Sequence, residues 1–143
     1  MWGIFGSITP NGLDERSITT LIEHAEQRGR DSSGLVMHRP GGYLAYRADF
    51  TIEKLLKRAP PTGRDAFIGH SRLVTNGTAD NQPVIRDGIA VVHNGIIVNY
   101  EELWPTIDKT RELALDSEII PAILASQIEA GSDVAAAADH VLS

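Results

Sequence analysis

Within residues 1–46 the chain passes from an apolar, β-friendly run to a segment with the period of one helical face and back to short β runs, and this limits the fold more than any other feature. Residues 1–8 are apolar and rich in β-formers, and they close at the turn cluster Pro10-Asn11-Gly12. Asp14 is then placed to cap a helix in which Ile18, Leu21, Ile22 and Ala25 recur at the spacing of one face, with a stop near Gly29. Residues 35–38 and 43–46 return to short β runs around Pro40-Gly41-Gly42 and read as a hairpin. An amphipathic helix packed on a sheet follows.

Further along, residues 51–58 predict a short helix, and residues 67–74 and 89–93 predict strands. Each of these strands is followed by an Asn-Gly turn signal, at Asn76-Gly77 and Asn94-Gly95. Asn99, with Glu102 three residues on, predicts a helical turn reaching Pro105. Asp116 or Ser117 opens a helix containing Ile119, Ile120, Ile123 and Leu124, which Gly131 should end, and residues 132–142 predict a last, alanine-rich helix.

With 143 residues, 42% hydrophobic and 22% charged, the chain has the size and balance of one folded domain spanning residues 1–143. A net charge of -6 and a pI near 5.3 give no reason to approach a phosphate backbone, so nucleic acid is not an expected partner. Apolar runs such as residues 89–92 fall far short of the roughly 20 residues of a membrane helix, and residues 1–8 lack the regions of a signal peptide; no membrane partner and a cytoplasmic location are expected. There is no cysteine, hence no disulfide, thiolate metal site or thiol nucleophile. The five histidines are scattered without metal-ligand spacing, and neither metal nor cofactor is expected.

Four segments carry a resemblance: Trp2-Gly-Ile-Phe-Gly6; Arg28-Gly-Arg-Asp-Ser-Ser-Gly-Leu35; Gly69-His-Ser-Arg72 through Thr75-Asn-Gly77; and Val91-Val-His-Asn-Gly-Ile-Ile97 with Asp116-Ser-Glu118 after it. In this order and spacing they resemble the class II, N-terminal-nucleophile (Ntn) glutamine amidotransferase domains, such as the glutaminase domains of glucosamine-6-phosphate synthase and amidophosphoribosyltransferase. The resemblance implies an α+β fold, an Ntn-hydrolase-like αββα sandwich of antiparallel sheets, here C-terminally shortened. A missing sheet edge would be supplied by another chain, so a homodimer or protein partner at that edge is expected.

The resemblance also implies roles. Hydrolysis of the glutamine side-chain amide needs a nucleophile, a base, oxyanion donors and a clamp for the amino-acid end. The family takes nucleophile and base from an N-terminal cysteine and its own α-amine; here that position holds Trp2, whose indole offers one N–H and no usable nucleophile. Retention of Met1 is expected as well, because a bulky second residue disfavours its removal. Asn94 and Gly95 would form the oxyanion hole, although Asn-Gly alone reads as a hairpin turn. Arg72 would hold the substrate carboxylate with its planar fork. Asp116 would receive the α-ammonium, a role compatible with capping a helix.

Thr75 and Asn76 fall in the substrate-contact loop, where Leu73 and Asn76 replace the tryptophan and histidine usual in the glucosamine-6-phosphate synthase pattern. Arg28 and Asp31 would shape the pocket floor, or simply pair to hold a turn. His70 and His93 lie in matched segments and read as core or hydrogen-bonding residues. The functional expectation is a pseudoenzyme that acts by binding a protein partner; the alternatives are an active glutaminase subunit supplying ammonia to a separate synthase, or a glutamine-binding module that does not hydrolyse its ligand.

Overall fold

The computed structural model describes residues 2–73 and 82–142, residue 2 by its backbone alone. They fall into two compact units, Met1–Pro83 with Val92–Asn94, and Val84–Val91 with Gly95–Ser143.

The first unit contains β1 (Trp2–Ile8), α1 (Glu15–Glu26), β2 (Ser32–Arg39), β3 (Gly42–Ala48), α2 (Ile52–Arg58) and β4 (Ala66–Arg72). The strands form one antiparallel sheet in the order β1-β4-β2-β3. Side chains alternate between sheet faces, so register decides which residues meet. Phe5 stands opposite Gly69, Gly69 opposite Leu35, and Leu35 opposite Tyr46. Together with Met37 and Phe67, this face packs on Ile18, Ile22 and Ala25 of α1 and on Ile52, Leu55 and Leu56 of α2. Leu35 and Ile52 are fully buried, each contributing about 1.5–3 kcal/mol of transfer free energy.

The predicted cap of α1 is present: the Asp14 carboxylate accepts from the Ser17 amide at 2.7 Å. That bond holds the Asp14 carboxyl below its ordinary pKa. The helix stops at Glu26, short of Gly29, and Gly29 serves a different contact. A Cβ there would overlap the backbone of Arg72 and Leu73, so only glycine lets this segment lie against the end of β4. The predicted hairpin of β2 and β3 and the short helix α2 form as expected. Strand β4 ends at Arg72; Val74 and the Asn76-Gly77 turn lie outside the described residues.

In the second unit β5 (Val84–Arg86) and β6 (Ile89–Val91) pair about Asp87 and Gly88, both at positive φ (49° and 78°). Next come α3 (Tyr100–Leu103) with a 3₁₀ turn at Trp104–Thr106, and a 3₁₀ turn at Asp116–Glu118 leading into α4 (Ile119–Glu129). Gly131, at φ 101°, ends α4 as predicted, and α5 (Val134–Leu142) follows. Helix α4 packs on the hairpin and on α5 through the buried Ile119, Ala122 and Ala137.

One sequence expectation is corrected here, and one alternative reading of the sequence is set aside. The strand expected over residues 89–93 stops at Val91, because the His93 amide is taken by the Gln82 side chain at 2.6 Å. Asn94-Gly95 is not a hairpin turn: no strand follows it and Gly95 does not take a positive φ. The hairpin forms instead at Asp87-Gly88, where two central residues at positive φ match the twist of the strands. Helices mixed with antiparallel sheets make the chain α+β.

Candidate functional site

Within the first unit, register brings position 2 beside Arg72. Trp2 pairs with Arg72 across β1 and β4, and Arg72 pairs in turn with Ser32 across β4 and β2. The end of β4 is laced down by the Arg28–Asp31 segment. The Asp31 amide donates to the Arg72 carbonyl at 2.9 Å, and the Ser71 hydroxyl donates to the Gly29 carbonyl. The glycine and small residues of this segment therefore fix the backbone from which Arg72 projects.

Asn94 and Arg28 line one cavity of about 560 Å³ in this unit, together with Gly3, Ile4, Phe5, Gly6, Leu21 and His24. Its wall along β1 begins one residue after position 2. Gly3 allows β1 to approach α1 closely, since a Cβ there would run into the Ala25 carbonyl. Asn94 is placed by its neighbour. Gln82 is 1% exposed; its side-chain oxygen accepts from the His93 amide, and its backbone carbonyl accepts from His70 Nε2 at 2.7 Å. His70, fully buried, thus carries its Nε2 proton and has the hydrogen-bonding role read from the sequence. Arg47 adds two bonds to the Pro83 carbonyl, at 2.6 and 3.0 Å, which hold the Gln82-Pro83 backbone against the sheet.

In the second unit, Asp116 opens the 3₁₀ turn before α4 and is partly exposed. One carboxylate oxygen accepts from the Ile97 amide at 2.7 Å; the other accepts from the Ser117 amide at 2.7 Å and the Ser117 hydroxyl at 3.1 Å. Asp116 therefore ties down the backbone two residues beyond Gly95. A carboxylate offers about four lone-pair positions, so three internal donors leave space for one more. Thr75 and Asn76 lie outside the described residues.

Sequence reading did not single out Gln82, and the only local signal was a polar residue before a proline. A roomier hollow of the first unit, about 620 Å³ between α1 and α2, is lined by Glu15, Ile18, Thr19, Ile22, Glu23 and their neighbours and touches none of the candidate residues. Its charged lining residues include Glu53 and Lys57, which are paired with each other at 2.6 Å on the surface of α2. Among the described residues no group of three or more His, Asp or Glu side chains is placed to hold a metal ion, and no helix is long and apolar enough to cross a membrane.

The fold matches that of glutamine phosphoribosylpyrophosphate amidotransferase from B. subtilis with a TM-score of 0.72, covering 99% of this chain and 32% of that one at 19% identity. Among curated proteins, one from Agrobacterium fabrum is 34% identical over 140 residues, covering 92% of this chain, and one from Zymomonas mobilis is 34% identical over 151 residues, covering 99%. No family model matches the chain. Fold and relatives together make the chain a class II, Ntn-type glutamine amidotransferase-like domain. Both curated relatives bear the name glutamine–fructose-6-phosphate aminotransferase (isomerizing), and the chain spans about a quarter of their length, 23% and 24%.

Proposed function

We propose that this chain binds glutamine by its amino-acid end and does not hydrolyse the side-chain amide. The observation that carries the reading is the residue paired with Arg72: tryptophan stands there, and none of the 143 residues is a cysteine. An indole N–H neither attacks a carbonyl nor relays its proton. In this reading Arg72 takes the substrate carboxylate through its fork, Asp116 takes the α-ammonium at its remaining lone-pair position, and Asn94 with the Gly95 amide faces the amide oxygen. Thr75 and Asn76 belong to the same proposal as substrate contacts, with Arg28 and Asp31 shaping the pocket. Of the two substrates in the relatives' name, glutamine is the one carried over.

Calorimetry with glutamine at millimolar concentration, run beside an ammonia-release assay, tests both halves. Binding heat without ammonia is the expected result. Glutamate formation well above a buffer blank overturns the loss of hydrolysis; absence of binding heat overturns retention of the clamp.

A second reading, in which the domain acts on a protein partner, is favoured by one observation. Strand β1 lies at an edge of its sheet and exposes Ile4 (46%) and Ile8 (86%). An apolar edge strand is a template for another chain. A dimer or hetero-complex in equilibrium sedimentation at micromolar concentration supports this reading, and a clean monomer that captures no partner counts against it.

A further inference from the structure

We infer that Glu118 and Arg86 are positioning residues that set the Asp116 carboxylate and, through it, the backbone following Gly95; the inference rests on the proposed role of Asp116 in holding an α-ammonium. Glu118 is 1% exposed and the Arg86 side chain 8%. Removing a carboxylate from water is costly unless its lone pairs are filled, and those of Glu118 are filled on both oxygens. The Arg86 guanidinium donates to Oε1. The Glu112 amide reaches both oxygens, at 3.1 and 3.2 Å, and the Leu113 amide reaches Oε2 at 2.8 Å.

These bonds close a short loop. Its ends, at Leu113 and Glu118, are held by one buried carboxylate, and Asp116 stands between them. Arg86 anchors the closure to β5, with its guanidinium 5.4 Å from the centre of the Trp104 ring and 3.3 Å from Asp87. With its ends held in this way, the loop presents Asp116 with its carboxylate accepting the Ile97 amide at 2.7 Å. A ligand ammonium meets a carboxylate already fixed in place, and the gain is the orientational freedom that need not be lost on binding. Nothing in the sequence pattern separates this role from that of a surface acid, since the burial comes from the hairpin folding over α4.

The test is NMR of the 143-residue chain with Glu118→Gln, which keeps the shape and removes the charge. The Ile97 amide reports its bond to Asp116 without any ligand. Its resonance should move toward the value found in Asp116→Asn, while amides of the first unit such as Leu35 and Phe67 stay in place. Glutamine affinity by calorimetry should fall about tenfold, the size of effect expected when a charged hydrogen bond is misplaced. A folded Glu118→Gln variant with the wild-type Ile97 resonance overturns the inference whether or not glutamine binds. Loss of glutamine binding in the wild type, with the Ile97 shift still present in the variant, overturns the functional reading and leaves the positioning role standing. If Glu118→Gln unfolds the second unit, Arg86→Lys decides: it keeps a cation but not the fork, and an unchanged Ile97 resonance and affinity there reject the inference.

Discussion

Trp2 and Arg72 are direct partners across the β1–β4 ladder, and this pairing puts the residue that would do chemistry next to the residue that would hold the substrate. In a relative with cysteine at the first position the same register would set nucleophile and guanidinium side by side. Here the same backbone pairing is present, and the residue at the first position is tryptophan.

Restoring the atom should restore reaction. A variant chain whose first residue is cysteine in place of Trp2 is expected to release ammonia from glutamine at least about 10²-fold faster than the wild type, in the range contributed by a positioned base and its proton transfer. Initial-rate ammonia measurements check this. Turnover equal to the wild-type blank would mean that the pocket, and not only the nucleophile, has changed.

Arg72→Lys keeps the charge and removes the fork. Glutamine affinity is expected to weaken about tenfold, with the melting temperature of the protein little changed. Equal affinity by calorimetry would remove Arg72 from the proposed clamp.

Gln82→Met preserves volume and leaves the backbone carbonyl that accepts from His70. It deletes the acceptor of the His93 amide, which lies beside Asn94. A destabilisation of about 1 kcal/mol in urea unfolding is expected, the typical net worth of one hydrogen bond at a partly buried donor. A change within error would show that the Gln82 side chain is dispensable for holding residues 92–94.

The cap of α1 predicts a pH dependence whose sign is fixed. Asp14 has a folded-state pKa below its ordinary value of 3.8, chiefly because its carboxylate accepts the Ser17 amide. Its contribution is therefore fully present above pH 3.8 and is lost as the pH falls through the depressed folded value. Asn at the same position caps without titrating. The melting temperature of the wild type should fall relative to Asp14→Asn as the solution is acidified through that window, and a constant difference between the two proteins would refute the assignment.

Much of the local structure was legible because its causes are local. The cap at Asp14, the apolar face of α1, the β2–β3 hairpin and the stop at Gly131 each depend on residues within a few positions of one another. The hairpin of the second unit has the same kind of cause. Asp87-Gly88, flanked by Val84-Ile85-Arg86 and Ile89-Ala90-Val91, carried as strong a turn signal as Asn94-Gly95. Only the capture of the His93 amide by Gln82 shows why the strand ends where it does.

The residue types of the candidate site, and the absence of any sulfur nucleophile, follow from the sequence alone, since side-chain chemistry is fixed by identity. Which of those residues stand together does not. The pairing of Trp2 with Arg72 and the buried bonds that fix Gln82 and Glu118 join residues far apart along the chain or decide their burial. Such contacts form only where sheet register and helix packing bring the groups out of water, and no local periodicity encodes that outcome.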